Sequence, residues 1–127
     1  NMFGDIVTDL ASALQGGMGM AASANIGDHH MLFEPVHGST PKRAGKGQVN
    51  PIAMLSSVQL MFEWLGRRKD DPDATIVSQI VESAIEELIT KGSPLTYDLG
   101  GSASTSEVSL AICASVTEKL KSHYENA

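Results

Sequence analysis

After residue 50 the chain carries three apolar patterns of helical period, each closed by a stop signal, and these limit the fold more than any other feature. Asn50–Pro51 opens the first, with asparagine as N-cap and proline at the first helical position, where its missing N–H costs nothing. Met54, Leu55, Val58, Met61, Phe62 and Leu65 recur at helical spacing up to Gly66. RRKDDPD (67–73) is a charged connector. A second helix over 73–91 sets Ile76, Ile80, Ala84 and Leu88 on one stripe, with Glu82, Glu86 and Glu87 off it, and stops at Gly92–Ser93–Pro94. Ser104 and Glu107, in capping-box spacing, open the third, which carries Val108, Ile112, Val116 and Leu120.

The first half is different in kind. Ile6, Leu10, Ala13 and Leu14 give a helix over 5–15, stopped by Gly16–Gly17, and Met2–Phe3–Gly4 before it has the character of a strand end entering a turn. GGMGMAASANIGD is a small-residue loop with little periodicity, and MLFEP (31–35) is an apolar run ended by proline, the pattern of a buried strand. Helices dominate, with one or two strands between them. The sum is an open α/β layer lacking most of its sheet. The chain begins at Asn1 without an initiator methionine and has the look of a segment cut from something longer.

A formal charge of −6 argues against a nucleic-acid surface, so any phosphate contact must be local. Cys113 is the only cysteine; no internal disulfide is possible, and its place beside Ile112 points to a buried, inert thiol. No apolar run approaches the roughly 20 residues of a membrane span. A cytoplasmic protein without membrane or nucleic-acid partners is the expectation. Met18, Met20, Met54 and Met61 are expected to fill core gaps, Trp64 to pack on its helix, and His29 and His30 to lie in a polar loop.

Two features carry chemistry. Asp5 and Asp9 stand four apart, so both carboxylates leave one face of the first helix. Hard divalent cations take such oxygen ligands, yet solvated first-turn acids, favoured by the helix dipole, satisfy the spacing equally. The second is FEPVHGSTPKRAGKGQVNP (33–51), which gathers Lys42, Arg43 and Lys46 between Gly38 and Gly47 in an acidic chain. His37, Gly38, Ser39 and Thr40 offer backbone N–H groups and hydroxyls, and the helix opened at Asn50–Pro51 favours anions. A phosphate or nucleotide edge fits this loop; a solvated basic turn is the plainer alternative.

NMFGDIVTDLASALQGGMGM resembles the signature of the metal-dependent β-decarboxylating dehydrogenases, the isocitrate and isopropylmalate dehydrogenase family. SANIGD (23–28), FEPVHGS (33–39), AGK (44–46), VNP (49–51) and DLGG (98–101) follow in the family's order, so the resemblance covers essentially the whole chain. It implies the C-terminal part of a two-domain α/β fold, mostly helices here. Residues 1–22 would end the small, dimer-forming domain, and 23–127 would belong to the large cofactor domain.

On this resemblance Asp5 and Asp9 match the aspartates that bind Mg²⁺ or Mn²⁺. His37, Gly38, Ser39, Thr40 and Pro41 match the loop around the cofactor's adenosine, and Asn50 the residue reading the adenine edge. Family members using NAD carry an acidic residue and then an aliphatic one where this chain has Lys42 and Arg43. Those using NADP have Lys then Tyr, clamping the 2′-phosphate, so the cofactor leans to NADP over NAD. Tyr97 matches a phosphate-contacting tyrosine of the NADP-type isocitrate enzymes, but Gly101 stands where they have an arginine. The activity implied is oxidation of a 2-hydroxy acid with a 3-carboxylate by hydride transfer to the nicotinamide, then loss of CO₂.

Isocitrate is the lead substrate, because VNP, SANIGD and LTYD resemble isocitrate enzymes; isopropylmalate, homoisocitrate, tartrate and malate stay open. The substrate arginines, the catalytic tyrosine and lysine and a third metal aspartate lie earlier in family subunits, some supplied across a homodimer. None is in this chain, so these 127 residues should not catalyse unaided. Two other readings stand beside this one: a non-catalytic, nucleotide-binding regulatory homologue, and an autonomous helical domain with a basic loop.

Overall fold

A computed structural model describes residues 2–125. The elements in chain order are α1 (Met2–Ser12), β1 (Ala22–Ile26), β2 (Met31–Pro35), α2 (Ile52–Lys69), α3 (Pro72–Lys91) and α4 (Thr105–Glu125). Single 3₁₀ turns lie at Ala13–Gln15, Pro41–Arg43 and Tyr97–Leu99.

α2 and α3 form an antiparallel pair, and α4 packs on α3. The core is Ile52, Val81, Ala84, Ile85, Leu88, Val108 and Ile112. Val108 and Ile112 were expected there and are fully buried. The buried stripe of α3 runs through Ala74, Ser78, Val81, Ala84, Ile85 and Leu88. Ile76 and Ile80, from the expected stripe, are only half-buried.

α2 does not stop at Gly66. It continues to Lys69 and ends at Asp70 in the left-handed conformation (φ 51°, ψ 42°), so most of the expected charged connector is helical. Gly66 serves instead for close approach: a Cβ there would overlap Thr75 Oγ1 and lie 2.9 Å from its backbone N. Asp71 then caps α3, its Oδ1 accepting from Ala74 N at 3.1 Å. Asp71→Ala should lower stability by about 1 kcal/mol, read as a shifted denaturation midpoint with unchanged slope.

The capping box of α4 forms as the spacing required. Glu107 accepts from Ser104 N at 2.7 Å, and Ser104 Oγ accepts from Glu107 N at 3.2 Å. The Ser104 backbone N–H, followed by its hydroxyl, holds the Glu107 carboxyl below the ordinary carboxylate value. A lowered folded-state value contributes stability above the unfolded-state value and loses it as pH falls through the folded one. Glu107→Gln should therefore flatten the acid side of a melting-temperature profile and leave the neutral side parallel. Glu87 links α3 to α4 by accepting from Ser115 Oγ at 3.1 Å and pairing with Lys119 at 3.3 Å.

The sheet holds two strands, within the one or two expected, but one of them lies where a loop was expected. β1, expected as loop, pairs antiparallel with β2 in the register Ala22↔Pro35 to Ile26↔Met31. Its side chains are too small and polar to show a period, and the pairing is fixed by the partner strand and by Gly27 N donating to His30 O at 3.0 Å. β2 is not the buried strand expected: burial alternates along it, and Leu32 is exposed. The hairpin lies on α2, with Phe33 against Trp64 at 6.3 Å between ring centroids.

α1 starts at Met2, so Met2–Phe3–Gly4 is helical and no strand end. It makes no substantial contact with the hairpin, α2, α3 or α4. Phe3, Ile6, Val7 and Leu10 are all more than half exposed. Met20 packs against the core, whereas Met18 and Met54 are exposed and fill no gap. Cys113 is exposed, not buried: adjacent helical positions diverge by about 100°, so burial of Ile112 turns its neighbour outward.

Candidate nucleotide cleft and metal-binding helix

β2 delivers the chain into the glycine-rich loop with Val36 N bonded to Ala21 O at 3.0 Å. His37 Nδ1 lies 2.9 Å from Gly38 O. Thr40 adopts a left-handed conformation (φ 45°, ψ 58°), and Pro41, Lys42 and Arg43 make a 3₁₀ turn closed by Arg43 N donating to Thr40 O at 2.9 Å. Gly45 and Gly47 have φ of 74° and 60°, which a side chain would strain. The far end of the loop is pinned to α4: Thr105 N donates to Gly47 O at 2.8 Å and Thr105 Oγ1 to Val49 O at 2.6 Å.

The loop closes one side of a cleft of about 240 Å³. His37, Gly38, Ser39, Thr40, Val49 and Asn50 line it from this side, Tyr97 and Asp98 from the loop before α4, and Met18 and Gly19 from the loop after α1. Residues 48 or more positions apart thus meet: Asn50 Nδ2 donates to Asp98 Oδ2 at 2.9 Å. At its rim the Arg43 guanidinium stacks 3.9 Å from the Tyr97 ring centroid. A stacked guanidinium keeps its edge N–H groups free to face an anion while the ring holds its plane. Pro41 and Lys42 are exposed on the turn and are not among the residues lining the cleft.

The N-cap of α2 is Pro51 and not Asn50 as expected; Asn50 stands one residue before the cap and bonds the first helical N–H. Its Oδ1 accepts from Ile52 N at 2.9 Å, while Pro51 O accepts from Leu55 N at 3.1 Å. Gly101 is fixed by geometry: a Cβ there would overlap Leu95 O. An arginine at that position would require the Leu95 backbone to shift, and the cationic group beside Tyr97 comes from Arg43 instead. Gly19, Met18 and Asp98 were not expected to line a cleft; Met18 was expected in the core and Asp98 entered only as part of DLGG. Thr96 and Asp98, polar residues two apart beside Tyr97, were the available signal.

Asp5 and Asp9 sit on the exposed side of α1. Thr8 Oγ1 and Ser12 Oγ cap the backbone carbonyls of Asp5 and Asp9, at 3.2 and 2.7 Å. The paired carboxylates suit one face of a hard divalent cation. No group of three or more His, Cys, Asp or Glu among the described residues could complete a coordination shell. His29 and His30 are exposed in the hairpin turn, and no helix among the described residues is long and apolar enough to cross a membrane.

The family model described as isocitrate/isopropylmalate dehydrogenase matches residues 1–118. Homoisocitrate dehydrogenase of Methanocaldococcus jannaschii is 44% identical over 97% of this chain, and isocitrate/homoisocitrate dehydrogenase of Thermus thermophilus 44% over 96%. 3-isopropylmalate dehydrogenase of Saccharolobus solfataricus is 45% identical over 81% of the chain. The chain spans about a third of the length of these relatives. Among solved structures, isocitrate dehydrogenase from Methylococcus capsulatus superposes with a TM-score of 0.82 at 42% identity, covering 91% of this chain and 33% of that one. With the family model and the fold in agreement, the chain belongs to the isocitrate/isopropylmalate dehydrogenase family, as a fragment of that α/β fold.

Proposed function

We propose that the full-length protein is a β-decarboxylating dehydrogenase acting on a 2-hydroxy acid with a 3-carboxylate, of the isocitrate or isopropylmalate type. The observation that carries this is the cleft lined by residues 37–40, 49–50 and 97–98 in a chain of this family. Its cofactor is NADP in preference to NAD. His37, Gly38, Ser39 and Thr40 surround the adenosine, and Arg43 and Tyr97 meet the 2′-phosphate at the rim, the stacked Arg43 supplying planar N–H donors and the exposed Lys42 adding charge from the same turn. Asp5 and Asp9 hold part of the shell of Mg²⁺ or Mn²⁺, which when bound supplies Lewis acidity toward charge developing on substrate oxygen. No residue here is assigned a proton transfer.

Residues 1–22 end a small, dimer-forming domain and 23–127 belong to the large cofactor domain; the lack of packing between α1 and the other helices supports that division. Homodimerisation through the first part and a cytoplasmic location complete the reading. Relatives named for isocitrate, homoisocitrate and isopropylmalate match at 44 to 45% alike, so the substrate is chosen by residues outside this segment. A regulatory homologue would have little use for the paired Asp5 and Asp9.

The cofactor test is Lys42→Asp with Arg43→Ile in the full-length protein. Charge-assisted hydrogen bonds contribute about 1.5–3 kcal/mol each. The NADP to NAD ratio of kcat/KM should therefore fall on the order of 100-fold, and a ratio that does not move sinks the phosphate assignment.

A further inference from the structure

We propose that Asp98 is a positioning residue for dinucleotide binding, acting through the Asn50 side chain. The inference rests on the assignment of the cleft as a dinucleotide site.

The Asn50 residue is 7% exposed, and its carboxamide is committed on both ends. Oδ1 accepts from Ile52 N at 2.9 Å; Nδ2 donates to Asp98 Oδ2 at 2.9 Å and lies 3.6 Å from Met20 Sδ. The amide cannot be turned over, because Ile52 N–H only donates and a carboxylate only accepts. Asp98 is held in turn. Its Oδ1 accepts from Thr96 Oγ1 at 2.5 Å, and Thr96 is 1% exposed, its carbonyl accepting from Leu99 N and Gly101 N at 3.1 and 3.0 Å.

Gly19 closes the arrangement. Its carbonyl accepts from Ala53 N at 3.0 Å, and a Cβ there would lie 2.8 Å from Asp98 Oδ2 and 3.3 Å from Asn50 Cβ. Three separate walls of the cleft therefore meet at one carboxylate. A base edge entering the cleft finds the Asn50 amide already fixed in orientation by Asp98 and Ile52. What Asp98 supplies is the placing of the 49–52 backbone against the 96–101 loop.

The test exchanges donor and acceptor in the full-length protein. Asn50→Asp retains the oxygen that accepts from Ile52 N but sets two carboxylates against each other. We expect KM for the dinucleotide to rise at least about tenfold, with a smaller change in kcat. Adding Asp98→Asn restores a donor opposite an acceptor, and the double variant should return KM to within a few-fold of wild type. Asp98→Ala gives a second reading should Asn50→Asp not fold: KM should rise.

Asp71→Ala, which uncaps α3 away from the cleft, controls for simple destabilisation and should lower the melting temperature without moving KM. A double variant no better than Asn50→Asp, or an Asp98→Ala protein with wild-type KM, overturns the proposal. Wild type is assayed first: if it binds neither NADP nor NAD, the proposed function falls, whereas failed rescue in a protein that binds them sinks only the role of Asp98.

Discussion

Asp5→Ala combined with Asp9→Ala in the full-length protein is expected to lower kcat/KM on the order of 1,000-fold. A divalent cation contributes several kcal/mol to stabilising charge on oxygen, and each 1.36 kcal/mol is tenfold in rate. Chelation of metal from the wild-type protein should give a loss of the same size, and Mn²⁺ titration should lose its carboxylate-dependent binding. The fold should not suffer. Both side chains project from an exposed helix face, so their truncation opens no core. A melting temperature close to wild type, with activity gone, is the expected pair of results. Equal turnover by the variant in the presence of chelator would end the metal assignment.

Gly101→Ala is expected to destabilise by roughly 3 kcal/mol or more, the upper range for overpacking against a backbone that cannot give way. The new Cβ would overlap Leu95 O, the acceptor for Ala103 N at 2.9 Å, and relief requires opening the 95–103 loop. Because Tyr97 and Asp98 stand in that loop, KM for the dinucleotide should rise along with the loss of stability. Gly101→Arg, which would copy the NADP-type isocitrate enzymes, should fail for the same reason and bring no gain in NADP preference. Gly100→Ala, with φ of 82° and no atom within 4 Å of the added carbon, is the milder comparison at about 1 kcal/mol. A Gly101→Ala protein that melts like wild type would show that the loop relaxes freely.

Where the sequence was legible, the determinants are local. The Ser104–Glu107 box and the Gly92 stop are written within four residues of where they act. Asp5 and Asp9 share a helix face by spacing alone. Where it misled, a distant neighbour decided. Gly66 has the composition of a stop, yet α2 runs through it because α3 needs the room beside Thr75. β1 has no apolar period, and only β2 makes it a strand. Met54 and Met18 have the composition of core residues, but the described residues leave each about half exposed.

The linear chain by itself determined the family, the helical segments after residue 50 and the paired acids of α1, because spacing along one helix and ordered motifs need no partner to be recognised. Tertiary structure alone decided that Arg43 stacks on Tyr97, that Gly101 leaves no space for a side chain, and that Asn50, Asp98 and Gly19 meet at one point. Those contacts join residues dozens of positions apart, and their geometry is set by how α2 and α4 pack against α3, which no local pattern encodes.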